Sequence, residues 1–170
     1  NDGTTGSSHD SADGFARVQR ALAARGHPQA PRWLDASART SQMAADALGV
    51  AAGQIAKSIV FRRRDDDAAV LVVAAGDRRV DERRLAALVG AIGRADADFV
   101  KAKTGFSIGG VAPLAHAGPV VVLIDRELFR FDEIWAAAGH PNGVFAMSPQ
   151  QLVGLTGAAV VDVAQSVNKA

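Results

Sequence analysis

The chain has 170 residues, a formal net charge of +1, and 48% hydrophobic and 22% charged residues. This length and balance predict one globular domain, or at most two very small ones, and argue against wholesale disorder, a membrane protein or a generally basic nucleic-acid-binding protein. The absence of cysteine excludes disulfides, thiolate nucleophiles, iron–sulfur clusters and cysteine-ligated zinc.

The N-terminal segment is polar and is followed by the first helical pattern. Residues 1–14 contain almost no apolar side chain, and we interpret them as a flexible leader or an expression remnant. A helix is predicted to begin after Ser11 or Asp13 and to stop at Gly26. Its apolar face has a spacing of three and four residues, at Phe15, Val18 and Leu22.

The next segments predict a short strand, a capped helix and a β-hairpin. A strand at residues 33–34 leads to a helix capped by Thr40 or Ser41 and ended by Gly49. Two apolar runs, 55–61 and 69–75, then flank a charged turn. Because the turn must be solvated while both flanks bury side chains, these runs predict two paired antiparallel strands.

The second half of the chain mixes helices and strands without a regular alternation. Asp81 is the predicted N-cap of a third helix, and a short fourth helix is predicted over residues 96–103. The third helix is expected to face inward with Leu85, Leu88, Val89 and Ile92. Ser148 with Pro149 opens a helix through Leu155, and strands are predicted at 120–124, 133–138, 144–147 and 158–163.

Together these elements predict one α+β domain over residues 15–165, followed by a short tail at 166–170. Its centre is a curved mixed β-sheet, a partial barrel, flanked by helices.

Lys57 is the first candidate functional residue. It lies within an apolar strand pattern and points to the same side as Ile59 and Phe61. Burying an unpaired ammonium costs several kcal/mol (order of magnitude), so the side chain needs a partner. Lys57 is therefore either a cation that anchors a substrate at the floor of a cleft or a lysine that reaches solvent from the end of a strand.

A glycine-rich loop, residues 104–113, is the second candidate. Gly109 and Gly110 permit positive φ and close approach of the backbone, so consecutive N–H groups could bind an oxyanion; the alternative is a simple tight turn. The loop lacks the Gly-Lys-Ser/Thr ending of a P-loop, and no Gly-x-Gly-x-x-Gly occurs. ATP and dinucleotide chemistry are therefore unsupported.

Two further groups of polar residues allow alternative interpretations. His140 and Asn142 share a kinked loop and could contact a substrate or a neighbouring loop. Ser107, His116 and Asp125 could be written as a catalytic triad, although no Gly-x-Ser-x-Gly elbow surrounds the serine. The four histidines show no metal-ligand spacing, and no metal site or cofactor is predicted.

The arginine-rich segments are the only dense basic clusters. They lie at residues 62–64 and 78–84, and both contain or adjoin aspartates. Each segment is either a solvated face or a contact with a phosphate backbone.

Four motifs in order resemble one protein family. They are Thr40-Ser41-x-x-Ala44-Ala45-x-x-Leu48-Gly49-Val50, then Ile55-Ala56-Lys57-Ser58-Ile59-Val60-Phe61, then Thr104-Gly105-x-x-x-Gly109-Gly110-Val111-x-Pro113, then Gly139-x-x-Asn142-x-x-Phe145-x-x-Ser148-Pro149. The chain resembles the YbaK/prolyl-tRNA-synthetase-associated editing domains, a bacterial group of aminoacyl-tRNA deacylases. The resemblance spans about residues 15 to 165.

The resemblance implies a pocket for the aminoacylated 3′ end of tRNA. Lys57 matches the family's critical lysine, and Gly109, Gly110 and Pro113 match its substrate-binding loop. The remaining residues expected at the pocket are Thr40, Ser41, Val111, Gly139, His140 and Asn142. The expected substrates are cysteine, alanine or a similar small residue on tRNA for proline.

The implied reaction is hydrolysis of the aminoacyl ester by a cytoplasmic protein that acts in trans, with a prolyl-tRNA synthetase as a further partner. Backbone N–H groups near Gly109 and Gly110 would stabilise the oxyanion, and Lys57 would anchor the substrate. The sequence contains no convincing general base. Two alternatives stay open: a non-catalytic module that binds tRNA or a synthetase, and a serine hydrolase acting on a small ester.

Overall fold

The computed structural model describes residues 5–36 and 38–167, with side chains from Asp13 onward. In this part of the chain the helices are α1 (Thr5–Ala24), α2 (Ser41–Leu48), α3 (Glu82–Val89), α4 (Ala97–Thr104) and α5 (Pro149–Thr156). The strands are β1 (Arg32–Trp33), β2 (Ile55–Arg63), β3 (Ala69–Ala75), β4 (Ile92–Arg94), β5 (Val120–Asp125), β6 (Ile134–Ala137), β7 (Gly143–Met147) and β8 (Ala159–Val161).

All eight strands belong to one mixed sheet. Seven follow the order β1-β7-β6-β2-β3-β5-β8, and β4 pairs with β2 beside this path. The predicted hairpin is confirmed, since β2 and β3 are antiparallel from Ala56 opposite Ala75 to Arg62 opposite Ala69. The β2–β6, β3–β5 and β5–β8 pairs are parallel. The structure confirms a single α+β domain around a mixed sheet.

Helices cover both faces of the sheet. One face packs against α1, α4 and α5, which contribute Val18, Val100 and Leu152. The other face packs against α2 through Ala45 and against α3 through Leu85. β3 lies between the two layers and is buried along its whole length, which explains its uninterrupted apolar sequence.

The predicted caps define the helix ends. Thr40 accepts a hydrogen bond from the backbone N–H of Met43 at the start of α2, and Gly49 ends α2 with a φ of 71°. Asp81 caps α3, and Ser148 forms a capping box at the start of α5. These polar side chains satisfy N–H groups that have no partner within the helix.

The chain termini differ in part from the expectation. α1 begins at Thr5, earlier than the predicted start after Ser11 or Asp13. Residues 1–4 of the predicted leader and 168–170 of the predicted tail lie outside the described residues. The domain bounds 15–165 stay a prediction.

The inward face of α3 was predicted incorrectly. Only Leu85 is fully buried, whereas Leu88 is 56% exposed. The sheet packs against the side of the helix that carries Leu85 and Val89, and Leu88 projects from the other side of Leu85. Gly90 ends the helix, so Ile92 belongs to β4, a three-residue strand that the sequence pattern did not reveal.

One edge of β2 has a gap in its pairing, and this gap positions the site. β6 pairs with β2 only at Ile55 and Ala56, and β4 pairs only from Phe61 onward. Within the described chain, residues 57–60 therefore have no strand partner on that edge. Ile55 and Arg63 direct their backbone groups toward β3, so by alternation the N–H and C=O of Ser58 point toward the gap.

Candidate active site

A cavity of about 480 Å³ opens at the unpaired edge of β2. Lys57 and Ser58 both line it, although adjacent strand residues point to opposite faces, because the cavity extends around the free edge. Its other walls come from the start of α2, from the glycine-rich loop and from the loop between β6 and β7. The gap in strand pairing thus gives a ligand access to both faces of the sheet.

Lys57 is half-buried in the wall of this cavity. Burial lowers the pKa of its ammonium, and the nearby charge of Arg79 lowers it further, while Asp77 opposes the shift. No described side chain forms an ion pair or hydrogen bond with Lys57. A partly desolvated ammonium without a protein partner can bind a carbonyl, hydroxyl or phosphate oxygen of a ligand.

Ser58 adds an unsatisfied polar group to the same wall. Its Oγ is buried and has no hydrogen-bond partner in the structure. A buried hydroxyl without a partner costs about 1–3 kcal/mol. The Lys57-Ser58 pair therefore presents two polar groups, one on each face of β2, that the protein itself leaves unsatisfied.

The glycine-rich loop and the β6–β7 loop touch through Gly110. A Cβ on Gly110 would lie 2.8 Å from the backbone N and Cα of His140, so the contact requires glycine. The Gly110 N–H donates to the carbonyl of Ser107 at 3.0 Å and is already engaged. In this structure the Gly110 N–H is therefore not free to bind an oxyanion, and Gly110 lies at the contact between the two loops.

The residues on either side of Gly110 have backbone N–H groups without a described acceptor. Gly109, with a φ of 94°, and Val111 both line the cavity. Neither backbone N–H makes a hydrogen bond within the described chain. These two N–H groups, unlike that of Gly110, have no described protein acceptor.

The β6–β7 loop is held by Asn142. Its side chain donates to the carbonyl of Leu34 at 2.9 Å, and its carbonyl accepts from the Leu34 N–H at 2.7 Å. Its own N–H donates to Nδ1 of His140 at 2.9 Å, which leaves the proton of the neutral ring on Nε2. Burial lowers the pKa of His140 and thereby favours this neutral form. Asn142 thus orients His140, which lines the cavity.

The ten residues predicted for the site separate into two groups. Those that line the cavity are Lys57, Thr40, Ser41, Gly109, Val111 and His140. Those that lie behind its walls are Gly110, Pro113, Gly139 and Asn142. Gly139, for example, has a φ of 85° and packs so tightly on α1 that a Cβ would lie 2.3 Å from the Gly14 carbonyl oxygen.

The structure does not assemble the candidate serine triad. The Asp125 carboxylate is fully buried and accepts hydrogen bonds from the backbone N–H groups of residues 127, 163 and 164. His116 donates its Nε2–H to the carbonyl of Ala112 at 2.8 Å, and burial lowers its pKa. Ser107 is exposed and forms no hydrogen bond with either side chain. Asp125 and His116 therefore have structural roles.

Several residues that line the cavity were not predicted from the sequence as site residues. Ser58, Arg39, Ile108 and Trp135 all line the cavity. The sequence pattern could have indicated Ile108, since an isoleucine beside Gly109 in an irregular loop has few ways to be buried. In the structure its side chain is 59% exposed. The pattern could not have indicated Ser58, because the gap in β2 pairing depends on strands far away in the sequence.

Most of the basic clusters are neutralised locally. Arg63 binds Asp66 at 2.8 Å and, by this hydrogen bond, lowers the pKa of Asp66 to about 2. Arg84 binds Asp162 at 3.2 Å. These pairs favour the interpretation as solvated faces.

Neither a metal site nor a membrane span is found in the described part of the chain. No group of three or more His, Asp or Glu side chains there could hold a metal ion. No helix there combines the length and the apolar character needed to cross a bilayer.

The chain is similar to several known proteins along most of its length. It aligns with a protein proposed to be a trans-editing enzyme for prolyl-tRNA synthetase, with a TM-score of 0.84, 39% identity, and coverage of 90% of this chain and 98% of that one. A scaffold protein used to present grafted linear epitopes aligns with a TM-score of 0.83 and 37% identity, over 91% and 98% of the two chains. An uncharacterised Bacillus subtilis protein, YwhH, is 34% identical over 69% of this chain and 75% of its own.

A family model identifies the domain. Residues 35–155 match the aminoacyl-tRNA editing domain, and this segment contains the whole cavity described above. The match and the shared fold confirm the resemblance to YbaK-like proteins. The chain therefore belongs to the aminoacyl-tRNA editing domain family, whose general activity is the deacylation of aminoacyl-tRNA.

Proposed function

We propose that this protein is a cytoplasmic, trans-acting deacylase that removes a small amino acid, alanine or cysteine, from tRNA for proline. The observation that carries the proposal is the unpartnered Lys57 ammonium in a cavity that is also lined by Ser58, whose buried hydroxyl has no hydrogen-bond partner. The structural similarity to a protein proposed to edit for prolyl-tRNA synthetase supports the choice of tRNA and of this synthetase as a partner.

The reaction is hydrolysis of the ester between the amino acid and the terminal ribose. Water adds to the carbonyl carbon and forms a tetrahedral oxyanion. The bond to the ribose oxygen then breaks, and that oxygen takes up the proton that the water loses. The products are the free amino acid and a tRNA with both terminal hydroxyls restored.

The cavity supplies donors for this reaction rather than a base. The N–H groups of Gly109 and Val111 are the proposed oxyanion donors, and one such donor is typically worth ~3 kcal/mol. Lys57 anchors the ribose or the carbonyl by a charge-assisted hydrogen bond. No aspartate or glutamate of the described chain lines the cavity, and His140 uses Nδ1 to accept from the Asn142 N–H. The neighbouring ribose hydroxyl is therefore the proposed route for the proton, and positioning contributes most of the catalysis.

The lining of the cavity is largely apolar and contains many small side chains. Alanines supply much of the lining, at positions 38, 44, 56, 95, 136 and 137. A hydrophobic pocket discriminates one methylene by only ~1–3 kcal/mol, so we expect only modest discrimination between small amino acids such as alanine and cysteine.

A deacylation screen with purified protein tests this proposal. We expect hydrolysis of alanyl- or cysteinyl-tRNA for proline above the spontaneous rate, and no acceleration for correctly charged prolyl-tRNA. Binding of these substrates without turnover would contradict the proposal and support the non-catalytic module instead. Hydrolysis of several small amino acids on other tRNAs would retain the reaction and overturn the tRNA assignment.

Ser58→Ala separates a substrate contact from a structural role. If the Ser58 hydroxyl binds substrate, kcat/KM is expected to fall about tenfold, the loss of roughly 1.4 kcal/mol. Because the hydroxyl is unsatisfied in the free protein, its removal should leave the free energy of unfolding unchanged or raise it by up to about 1 kcal/mol. Steady-state kinetics and urea unfolding measure the two effects.

Ser107→Ala is the matched control for this variant. Ser107 is an exposed serine in the glycine-rich loop and does not line the cavity, so its substitution should change neither quantity. Wild-type kinetics together with lower stability in Ser58→Ala would show that the hydroxyl is only structural.

The alkaline limit of activity should respond to Arg79. The proposed role of Lys57 requires its protonated form, so activity is present below its pKa and is lost as the pH rises through it. Burial is the main cause of the lowered pKa, and the positive charge of Arg79 adds to it. Arg79→Gln should therefore raise the pKa of Lys57 and move the alkaline limit to higher pH.

The pH profile is measured as kcat/KM after subtraction of spontaneous ester hydrolysis. Arg83→Gln removes another exposed arginine, one that does not act on Lys57, and should leave the alkaline limit in place. A shift to lower pH in Arg79→Gln, or equal shifts in both variants, would contradict the assignment of the limit to Lys57.

A further inference from the structure

An exposed tryptophan stands beside the mouth of the cavity. Trp33 lies on β1 and is 53% exposed, the only tryptophan besides the largely buried Trp135. Its Cα is paired with that of Gly143, a residue that lines the cavity. Nothing in the proposed hydrolysis of the ester uses this side chain.

The indole is held in place from inside the protein. Phe15 contacts it edge to face, with 5.2 Å between ring centroids and 82° between the rings. The His140 ring lies at 4.4 Å with a tilt of 38°, and His140 also lines the cavity. Because Asn142 fixes His140 by a hydrogen bond to Nδ1, the tryptophan rests on a support that is already ordered. A flat aromatic surface is thus fixed next to the cavity before any ligand binds.

The charges around this surface suit a nucleic acid. Arg32 precedes Trp33 and lies over the Trp135 ring at 5.5 Å, and Arg39 is exposed at the cavity wall. Neither arginine forms an ion pair with a described acidic side chain. An aromatic face beside cations without acidic partners is the arrangement that binds unpaired nucleotides, through base stacking and phosphate contacts.

We propose that Trp33 is a stacking platform for an unpaired base of the tRNA 3′ end, one that precedes the terminal adenosine. This inference rests on the proposed function, since it takes the aminoacylated terminus to be in the cavity. The base stacks on the exposed part of the indole while His140 supports the ring from the cavity side. The platform contributes to tRNA binding and takes no part in breaking the ester.

Kinetics of Trp33 variants test the platform. Stacking of a base on an aromatic side chain contributes to the binding affinity. Trp33→Ala should therefore raise the KM for aminoacyl-tRNA on the order of tenfold to a hundredfold, with kcat within about twofold of wild type. Trp33→Phe should recover most of the loss, whereas Trp33→Leu, which keeps an apolar side chain without an aromatic face, should not. Leu88→Ala, at another exposed apolar residue, is the matched control and should behave as wild type.

Abasic substrates identify the base. When the two nucleotides before the terminal adenosine are made abasic one at a time, one substitution should raise the wild-type KM and remove its dependence on Trp33. A Trp33→Ala effect that persists in full with both abasic substrates would overturn the proposal. An effect of Trp33→Ala only when prolyl-tRNA synthetase is added would also overturn it and indicate a protein-docking surface.

A binding measurement separates this proposal from the proposed function. An uncharged oligoribonucleotide ending in CCA should quench the tryptophan fluorescence of wild type and of Ser107→Ala, but not that of Trp33→Phe. If quenching occurs although no aminoacyl-tRNA is hydrolysed, the platform stands and the deacylase assignment fails. If hydrolysis occurs without quenching and without a KM effect, the platform alone is wrong.

Discussion

Replacing Lys57 with methionine is expected to abolish deacylation while leaving the fold intact or more stable. The ammonium is the only cationic group of β2 in the cavity wall, and loss of one strong electrostatic contact to a reacting ester typically lowers kcat by about 10²–10³. Burial already disfavours this charge, as its lowered pKa indicates. A methionine of similar length removes the desolvation penalty, so the free energy of unfolding should not fall.

Activity and stability must be measured on the same preparations. Deacylation of mischarged tRNA gives the first quantity, and urea unfolding followed by circular dichroism gives the second. Lys103→Met is the matched control, because Lys103 lies on α4 outside the cavity and its ammonium is 5.7 Å from the centroid of the Phe99 ring. If Lys57→Met hydrolysed mischarged tRNA at the wild-type rate, the central assignment of this lysine would be wrong.

The sequence was sufficient to predict most of the local elements and to place Lys57 in a strand. The β2–β3 hairpin follows from two apolar runs around a charged turn, and the first run is interrupted only by Lys57 and Ser58. Capping residues such as Thr40 and Asp81 placed the helix starts. Each of these signals depends on residues within a few positions of one another, which is why a single sequence contains them.

The open edge of β2 could not be predicted in this way. It exists because the pairing of β2 with β6 ends at Ala56 and its pairing with β4 begins only at Phe61. Both partners come from segments at least 28 residues further along the chain, as Arg64 and its β4 acceptor Ile92 illustrate. The importance of Ser58 depends entirely on this non-local pairing, since in a fully paired strand the same serine would be an ordinary residue.

The family motifs mix two kinds of residue that a sequence cannot distinguish. Gly109 and His140 line the cavity, whereas Gly110 and Asn142 hold the loops that carry them. Gly109 and Gly110 are adjacent in one motif, and His140 and Asn142 are two positions apart in another. Residues such as Gly110 and Asn142 determine the shape of the cavity without lining it.

Gly110→Ala is expected to damage both stability and catalysis although the new methyl group lies outside the cavity. The added Cβ would meet the N, Cα and C atoms of His140 at 2.8, 2.8 and 2.9 Å, and backbone atoms cannot turn aside as a flexible side chain can. The two loops must separate, which should lower the free energy of unfolding by about 1–3 kcal/mol. Because Gly109 and His140 would move apart, kcat/KM should fall by about 10²-fold, the scale of a catalytic group misplaced by an ångström.

The matched control is Gly118→Ala, in the same connection between α4 and β5. Gly118 is exposed, and a Cβ there would lie 3.8 Å from the Lys103 carbonyl oxygen, an ordinary contact. Its substitution should leave kcat/KM unchanged and, by restricting the unfolded chain, should not lower stability. Urea unfolding measures the stability of both variants, and single-turnover deacylation measures their catalytic rates. If Gly110→Ala lost stability but kept wild-type turnover, contact between the two loops would be needed for the fold and not for holding the donors of Gly109 and Val111 in place.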